Sequence, residues 1–360
     1  MTKMWTKVNG RAAGLSGAAW PPRAGGTSPP PRAPMPPRPA AEGKFPPGPN
    51  PPEPTPLWLG YGGVKVQGSD RPGGVGQVEI VWLDQRAARD TAVVGGKGAG
   101  LCRLAHACGA LPGCSVPPGF AVAAEAGPSA IAAAYAELGR RCGETEPAVA
   151  VRSSAVDEDG AVVSFAGQHD TLLNVRGAGP VGEAVEACRA SAASARAIEY
   201  RRRHGLGSPR VAVVVQCFVV ADAAAVAFSV DPVSGERDAV VINGVWGLGE
   251  SLVGGTATPD VYRVPRGDPA AVDVRVGDKA RMTVALPEGG TAEVDTPPFL
   301  RRRPALEPLE AARVARAAVT LEGAWGRAVD VECAFRDGRL FLLQCRPVTA
   351  LARPAAGVLA

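Results

Sequence analysis

Proline decides where this chain can fold. Of its 35 prolines, 17 fall between Met1 and Pro72, one fifth of the length. Proline gives no N–H to a helix or a ladder, and it pushes the residue before it out of the helical region. Glycines and Pro-Pro runs fill the same stretch without apolar periodicity, so residues 1–74 read as a disordered Pro/Gly-rich tail. The packed part must come from the residues after Gly74. Charge divides at the same place: the tail carries nine Lys/Arg against three Asp/Glu, the remainder 30 basic against 32 acidic residues. The net +4 of the whole chain is therefore no basic face of a fold, and nucleic acid is not an expected partner. With 46% hydrophobic residues overall, the remainder has material for one large or two modest domains.

The longest apolar run, 211–230, is broken by Gln216 and Asp222. Two adjacent strands over 211–219 and 224–230 account for it, and no membrane span is expected. The eight cysteines include no C-x-x-C pair, and the histidines are His106, His169 and His204. Neither a zinc site nor a disulfide framework is expected from such a set. Cys102, Cys108 and Cys114 read as thiols beside a core. No apolar signal-peptide segment opens the chain, so the cytoplasm is the expected location.

Order is expected from Val78. A short strand over 78–83 precedes the glycine string 95–100, which opens a helix of about ten residues. A strand at 116–122, a helix at 130–141 and a buried strand at 148–152 come next. A loop with Asp157, Glu158 and Asp159 leads to a strand at 171–175 and a long Ala-rich helix over 181–204. Beyond the paired strands come a third at 239–243, a glycine-rich loop over 244–255 and a short strand at 262–264. The stretch to Arg303 carries little signal. A helix over 306–325 leads into a hairpin, 329–335 and 340–344, turning on Asp337-Gly338. Mixed elements with several antiparallel neighbours give an α+β fold.

Three places carry candidate chemistry. The string Gly95-Gly96-Lys97-Gly98-Ala99-Gly100 suits a phosphate: glycines let backbone N–H groups approach, a helix start favours negative charge, and Lys97 adds a cation. Its spacing is neither that of a Walker A loop nor G-x-G-x-x-G; a simple glycine-rich turn is the competing reading. Arg152 ends an apolar strand beside Ser153-Ser154, where it would clamp a phosphate or sit in a surface salt bridge. In the hairpin, alternation puts Asp330 and Glu332 on one face and Gln344 and Arg346 on one face. Carboxylate and amide oxygens beside a guanidinium suit a magnesium–polyphosphate complex, against the alternative of a charged edge hairpin.

The ordered strings VGGKGAGL, VPPGF, AVRSSAVDEDGAVVSFAGQHDTLLNV, VVVQCFV, AFSVDPVSGE, GLGESLVGGTATPD, GRAVDVECAF and LFLLQCRPVT resemble the ATP-binding domain of the phosphoenolpyruvate synthase and pyruvate phosphate dikinase family. Rifampicin phosphotransferases share that domain. The resemblance covers Val78 to Thr349 and implies an ATP-grasp fold, two subdomains over about 75–210 and 211–350 closing on Mg-ATP, with 351–360 as a tail. By position it implies phosphate contacts from Lys97 and Arg152, with Gln168 and Thr171 on the same side. It assigns the adenine-reading edge to Gln216, Cys217, Phe218 and Val219. Glu332 and Gln344 become the Mg2+ pair, Arg346 the arginine of Q-x-R-P, and Glu250 and Asp260 supports of the cleft. Cys333 replaces a family tryptophan and Cys345 a small or hydroxyl residue. Family members pass phosphate to a mobile phosphohistidine domain, and none of the three histidines here sits in that domain's T-x-G-G…H-A context. The implied partner is a separate phosphohistidine protein, with pyruvate, water dikinase-like transfer. The alternatives are the ATP domain of a split rifampicin-type phosphotransferase and a nucleotide-binding regulatory module without turnover.

Overall fold

Strands and helices share the molecule about equally, and its computed structural model describes residues 79–109, 111–155, 171–192 and 211–348. The tail 1–74, the loop with Gln168 and His169, the segment 193–204 of the expected long helix, and residues 351–360 lie outside these. The first part holds β1 (Ile80–Trp82), α1 (Thr91–Cys108), β2 (Cys114–Ser115), β3 (Gly119–Val122) and α2 (Pro128–Cys142). It continues through β4 (Val149–Ala155), β5 (Thr171–Val175), α3 (Ala178–Ala192) and β6 (Val211–Cys217). Next come β7 (Ala223–Phe228), β8 (Ala239–Trp246), α4 (Glu250–Val253), β9 (Asp260–Pro265), β10 (Asp273–Arg275), β11 (Arg281–Ala285) and β12 (Thr291–Asp295). The last are α5 (Pro298–Arg301), α6 (Pro308–Trp325), β13 (Val329–Arg336) and β14 (Arg339–Pro347). Among the described residues no helix is long and apolar enough to cross a membrane.

Two sheets organise these elements. One runs β1-β3-β6-β4-β5 and the other β10-β9-β8-β7-β13-β14-β2, with β11-β12 a hairpin apart. Every neighbour pair is antiparallel except β14 with β2, so the architecture is α+β as expected. Helices α2 and α3 cover one face of the first sheet, burying Phe120, Ile131, Leu138, Val151, Val185 and Val213. Helix α6 covers the second sheet, where Val240, Ile242, Leu306, Val314, Leu321 and Leu342 form a larger core. Leu101 and Leu104 of α1 and Val214 of β6 also belong to that core. The helix α1 is therefore shared between the sheets.

Local rules explain the clearest boundaries. Helix α6 begins at Pro308 behind Glu307, whose N–H donates to Glu310 Oε2 at 2.9 Å in a capping box, and it stops at Gly326 with φ 67°. The hairpin β13–β14 turns on Asp337 and Gly338, with φ 50° and 70°, the pair of left-handed residues that a two-residue turn of this twist requires.

Several expectations need correction. The runs 211–219 and 224–230 are not neighbours: β6 lies between β3 and β4 in the first sheet, and β7 between β8 and β13 in the second. Both strands are buried on both faces, so periodicity carried no information about their partners. By the same token, the first sheet extends to Cys217, past the division placed at 210/211. The low-signal stretch before Arg303 holds β10, β11, β12 and α5. Finally, Cys142 at the end of α2 and Cys217 at the end of β6 are joined by a disulfide, where no disulfide framework was expected; both flank the α2–α3 core.

Candidate functional site

A cleft of about 370 Å³ opens between the two sheets. Its first wall starts from the glycine string, which opens a helical stretch as expected, with Gly95 as the kink that separates it from the single turn before. Gly95 breaks α1 with φ 70° and ψ 176°, and the helix resumes at Gly96. Glycine is obligatory there: a Cβ would overlap the carbonyl oxygen of Ser154. Ser154 on β4 holds both sides of the break, donating to Val94 O at 2.8 Å and accepting from Gly98 N–H at 3.1 Å. Lys97 then reaches along β4, its Nζ donating to Ser153 O at 2.8 Å.

Alternation along β4 sends Val149 and Val151 into the helix-covered core and Ala150 and Arg152 into the cleft. Beside them on the same wall are Thr171, Gln216, Cys217, Phe218 and Val219. Gln216 is fixed by donating from Nε2 to Pro117 O at 3.0 Å. The N–H groups of Cys217 and Phe218 are committed to Pro118 O and Ala148 O, each at 2.8 Å. Val219 enters no such bond among the described residues, which leaves its main chain open to a ligand.

The second wall is β13 and β14. Val331 and Cys333 face the α6 core, so Glu332 and Ala334 face the cleft. On β14 the phase has to be changed. Glu332 pairs with Gln344 but Cys333 pairs with Leu342, so Leu343 is an extra residue, a bulge. Leu342 and Cys345 both pack in the core, and the bulge between them turns Gln344 and Arg346 to the cleft face. Arg346 Nη2 donates to Glu332 Oε1 at 2.9 Å. The amide oxygen of Gln344, in the orientation that satisfies its neighbours, accepts from the same Nη2 at 2.7 Å. Glu250, in the first turn of α4, also lines this side.

Charge from the two walls meets at Arg152. Burial holds its guanidinium below the usual arginine range, Glu332 and Glu250 oppose that shift, and Arg346 adds to it. Its Nε is buried without a hydrogen-bond partner among the described residues. A buried cation with an unused donor is costly unless something anionic arrives to take it.

Of the residues singled out from sequence, the structure brings Lys97, Arg152, Thr171, Gln216, Cys217, Phe218, Val219, Glu250, Glu332, Gln344 and Arg346 to this one cleft. Gln168 lies outside the described residues. Asp260 is a correction. It is fully buried away from the cleft, paired with Lys279 Nζ at 2.5 Å and accepting from the N–H groups of Gly277 (2.8 Å) and Ala305 (2.7 Å). Its carboxylate is consumed in joining β9 to the segments around 277 and 305, which leaves nothing for a ligand. Sequence reasoning missed the apolar lining from Ala224, Val226 and Leu343. The β7 pair share one strand face with two-residue spacing; Leu343 is hidden by the bulge.

The fold and cleft define an α+β nucleotide-binding domain, and comparison with known proteins makes it particular. The chain belongs to the family described as "Pyruvate phosphate dikinase, AMP/ATP-binding domain", whose model matches residues 128–358. It is 34% identical over 322 residues to a "Probable phosphoenolpyruvate synthase" of Methanocaldococcus jannaschii, covering 76% of this chain and 27% of that protein. A protein of the same description from Methanothermobacter thermautotrophicus is 42% identical over 219 residues, 60% of this chain and 32% of its own. The "Rifampicin phosphotransferase" of Streptomyces sviceus is 39% identical over 226 residues, 62% and 26% of the two chains. The chain thus spans less than a third of the length of these curated relatives.

Proposed function

We propose that the cleft is an ATP-grasp site, which binds Mg-ATP and positions a phosphoryl group for transfer to a histidine on a separate phosphohistidine-domain protein. The observation that carries this reading is the convergence of Lys97 from α1, Arg152 from β4 and Arg346 from β14 on a cleft where Arg152 keeps a buried unused donor. Phosphate oxygens satisfy all three cations at once. The main chain of Val219 offers a hydrogen-bonding edge of the kind adenine needs, in a cleft that Phe218, Val226 and Leu252 also line. The oxygens of Glu332 and Gln344, now both turned to Arg346, are a hard donor set that fits Mg2+, which takes few protein ligands alongside phosphate and water. When bound, the metal would supply charge neutralisation on the phosphates.

In this reading the protein's own contribution is positioning and electrostatics. Lys97 is anchored on the Ser153 carbonyl and Arg346 on Glu332, so neither cation has to be gathered when the nucleotide arrives. The transferred phosphoryl group breaks its P–O bond to the nucleotide as a P–N bond forms to the acceptor imidazole. The acceptor, the final substrate and a pyruvate, water dikinase-like outcome are part of the proposal, as is action in the cytoplasm. The rifampicin phosphotransferase among the relatives supports a second reading, in which the same half-reaction serves antibiotic phosphorylation.

The test is transfer of label from γ- and β-labelled ATP to an added phosphohistidine-domain protein. The full chain should bind Mg-ATP, hydrolyse it slowly alone, and label the partner's histidine rapidly. Lys97→Ala and Arg346→Ala should remove labelling. Binding without any transfer would favour the non-catalytic nucleotide module, and phosphorylation of a small molecule by the chain alone would place the acceptor site within it.

A further inference from the structure

The hairpin β11–β12 belongs to neither sheet, yet it touches both walls of the cleft. The middle of β11 is bonded to the turn after β8, where Leu248 N–H donates to Thr283 O at 2.9 Å. Gly247 packs so closely there, with φ 72°, that a Cβ would overlap the Thr283 carbonyl oxygen. The turn end of the hairpin is held by Asn174 of β5, in the first sheet. Asn174 Nδ2 donates to Leu286 O at 2.7 Å and to Gly290 O at 2.8 Å. Gly290 N–H returns a bond to Asn174 O at 3.0 Å.

Asn174 is built for this contact. Its side chain is buried and its φ is 56°, a left-handed conformation that costs a residue other than glycine and persists where surroundings enforce it. The strand register shows how it arises. Val151 pairs with Leu172 and Val149 with Val175, so Leu173 and Asn174 together stand opposite Ala150. That is a bulge, which re-aims the side chain out of the ladder. The neighbours of both anchor points line the cleft: Thr171 and Leu173 on one wall, Leu248, Gly249 and Glu250 on the other.

We propose that the Asn174-held hairpin is a strut that sets the spacing of the two cleft walls, with Asn174 a positioning residue for the nucleotide. This rests on the reading of the cleft as the Mg-ATP site. The phosphate-facing cations Lys97 and Arg152 stand on one wall and Arg346 on the other, so their common fit to one ligand depends on how far apart the sheets are held. Helix α1 ties the sheets by packing on β4 and β6 of the first and β14 of the second; the strut ties them at the edge strand β5. With the second tie released, the walls can hinge about the first, and the three cations no longer share one preset geometry.

Asn174→Gly separates this role from plain stability. Glycine accepts the left-handed backbone without steric cost, while both Nδ2 hydrogen bonds are lost. In the full chain, Mg-ATP affinity by titration calorimetry should fall about five- to tenfold, with the nucleotide-free thermal midpoint within a few degrees of wild type. Hydrogen exchange supplies a second measurement. Mg-ATP should slow exchange across 281–295 in wild type and fail to do so in the variant. Wild-type affinity in Asn174→Gly, or unchanged nucleotide protection of the hairpin, overturns the strut alone. Failure of the wild-type chain to bind Mg-ATP overturns the nucleotide reading and the strut with it.

Discussion

Single residues in the cleft act through what they hold. Glu332 is placed by strand alternation, and it holds Arg346 at 2.9 Å while facing Arg152 electrostatically. Glu332→Gln keeps the shape but removes the charge that both a guanidinium and a hard cation use. Mg-ATP affinity, measured by calorimetry, should fall at least about tenfold, on the order of 1.4 kcal/mol. Asp330→Asn, two residues away on the same strand face, should leave Mg-ATP affinity within about twofold. The opposite ranking would move the metal site one same-face position along the strand. Lys97, Arg152, Glu332, Gln344 and Arg346, which share the cleft, stood out in the sequence because polar side chains in otherwise apolar or glycine-rich strings are conspicuous. Asp260 was just as conspicuous, and its burial with Lys279 shows why residue type alone does not say whether a carboxylate serves a ligand or the fold. Asn174 was invisible by the same standard: nothing in TLLNV announces a left-handed residue.

Elements whose signals are local were read well, and elements whose identity depends on distant partners were not. The Asp337-Gly338 turn and the α6 helix arise from a few neighbouring residues. The separation of β6 from β7 depends on pairings with β3, β4, β8 and β13, none of which leaves a mark in strands buried on both faces. The glycine string falls between these cases. Its suitability for a phosphate was an expectation from residue type, whereas the break at Gly95 inside α1 involves Ser154, 59 residues on, which accepts and donates across it. Gly95→Ala would meet the Ser154 carbonyl and a φ of 70° together. Two costs of this kind sum to several kcal/mol, roughly 2–4 kcal/mol, and since about 1 kcal/mol shifts a domain of this size by 2–4 °C, calorimetry should show the thermal midpoint falling by about 5–15 °C. A midpoint within 2 °C of wild type would mean that the close approach is relieved by a small movement of β4.

At the scale of the molecule, the reading of residues 1–74 as a tail outside the chemistry is an expectation that a deletion tests. Deleting residues 1–74 should therefore leave the thermal midpoint within a few degrees and Mg-ATP affinity within about twofold of the full chain, by calorimetry on both proteins. What composition could not convey was the sharing of α1. Its Leu101 and Leu104 complete the larger core while Ala99 and Cys102 pack against Val81 and Ala121 in a smaller one. This has a practical meaning for anyone who would divide the chain. A cut at the crossover between Cys217 and Ala223 passes between the sheets on paper but strands two leucines of the first fragment without cover and opens the second fragment's interior to water. The halves are not modules that could be exchanged among relatives like cassettes; α1 is a key cut for two locks, and a graft that replaces one sheet inherits the obligation to fit the other.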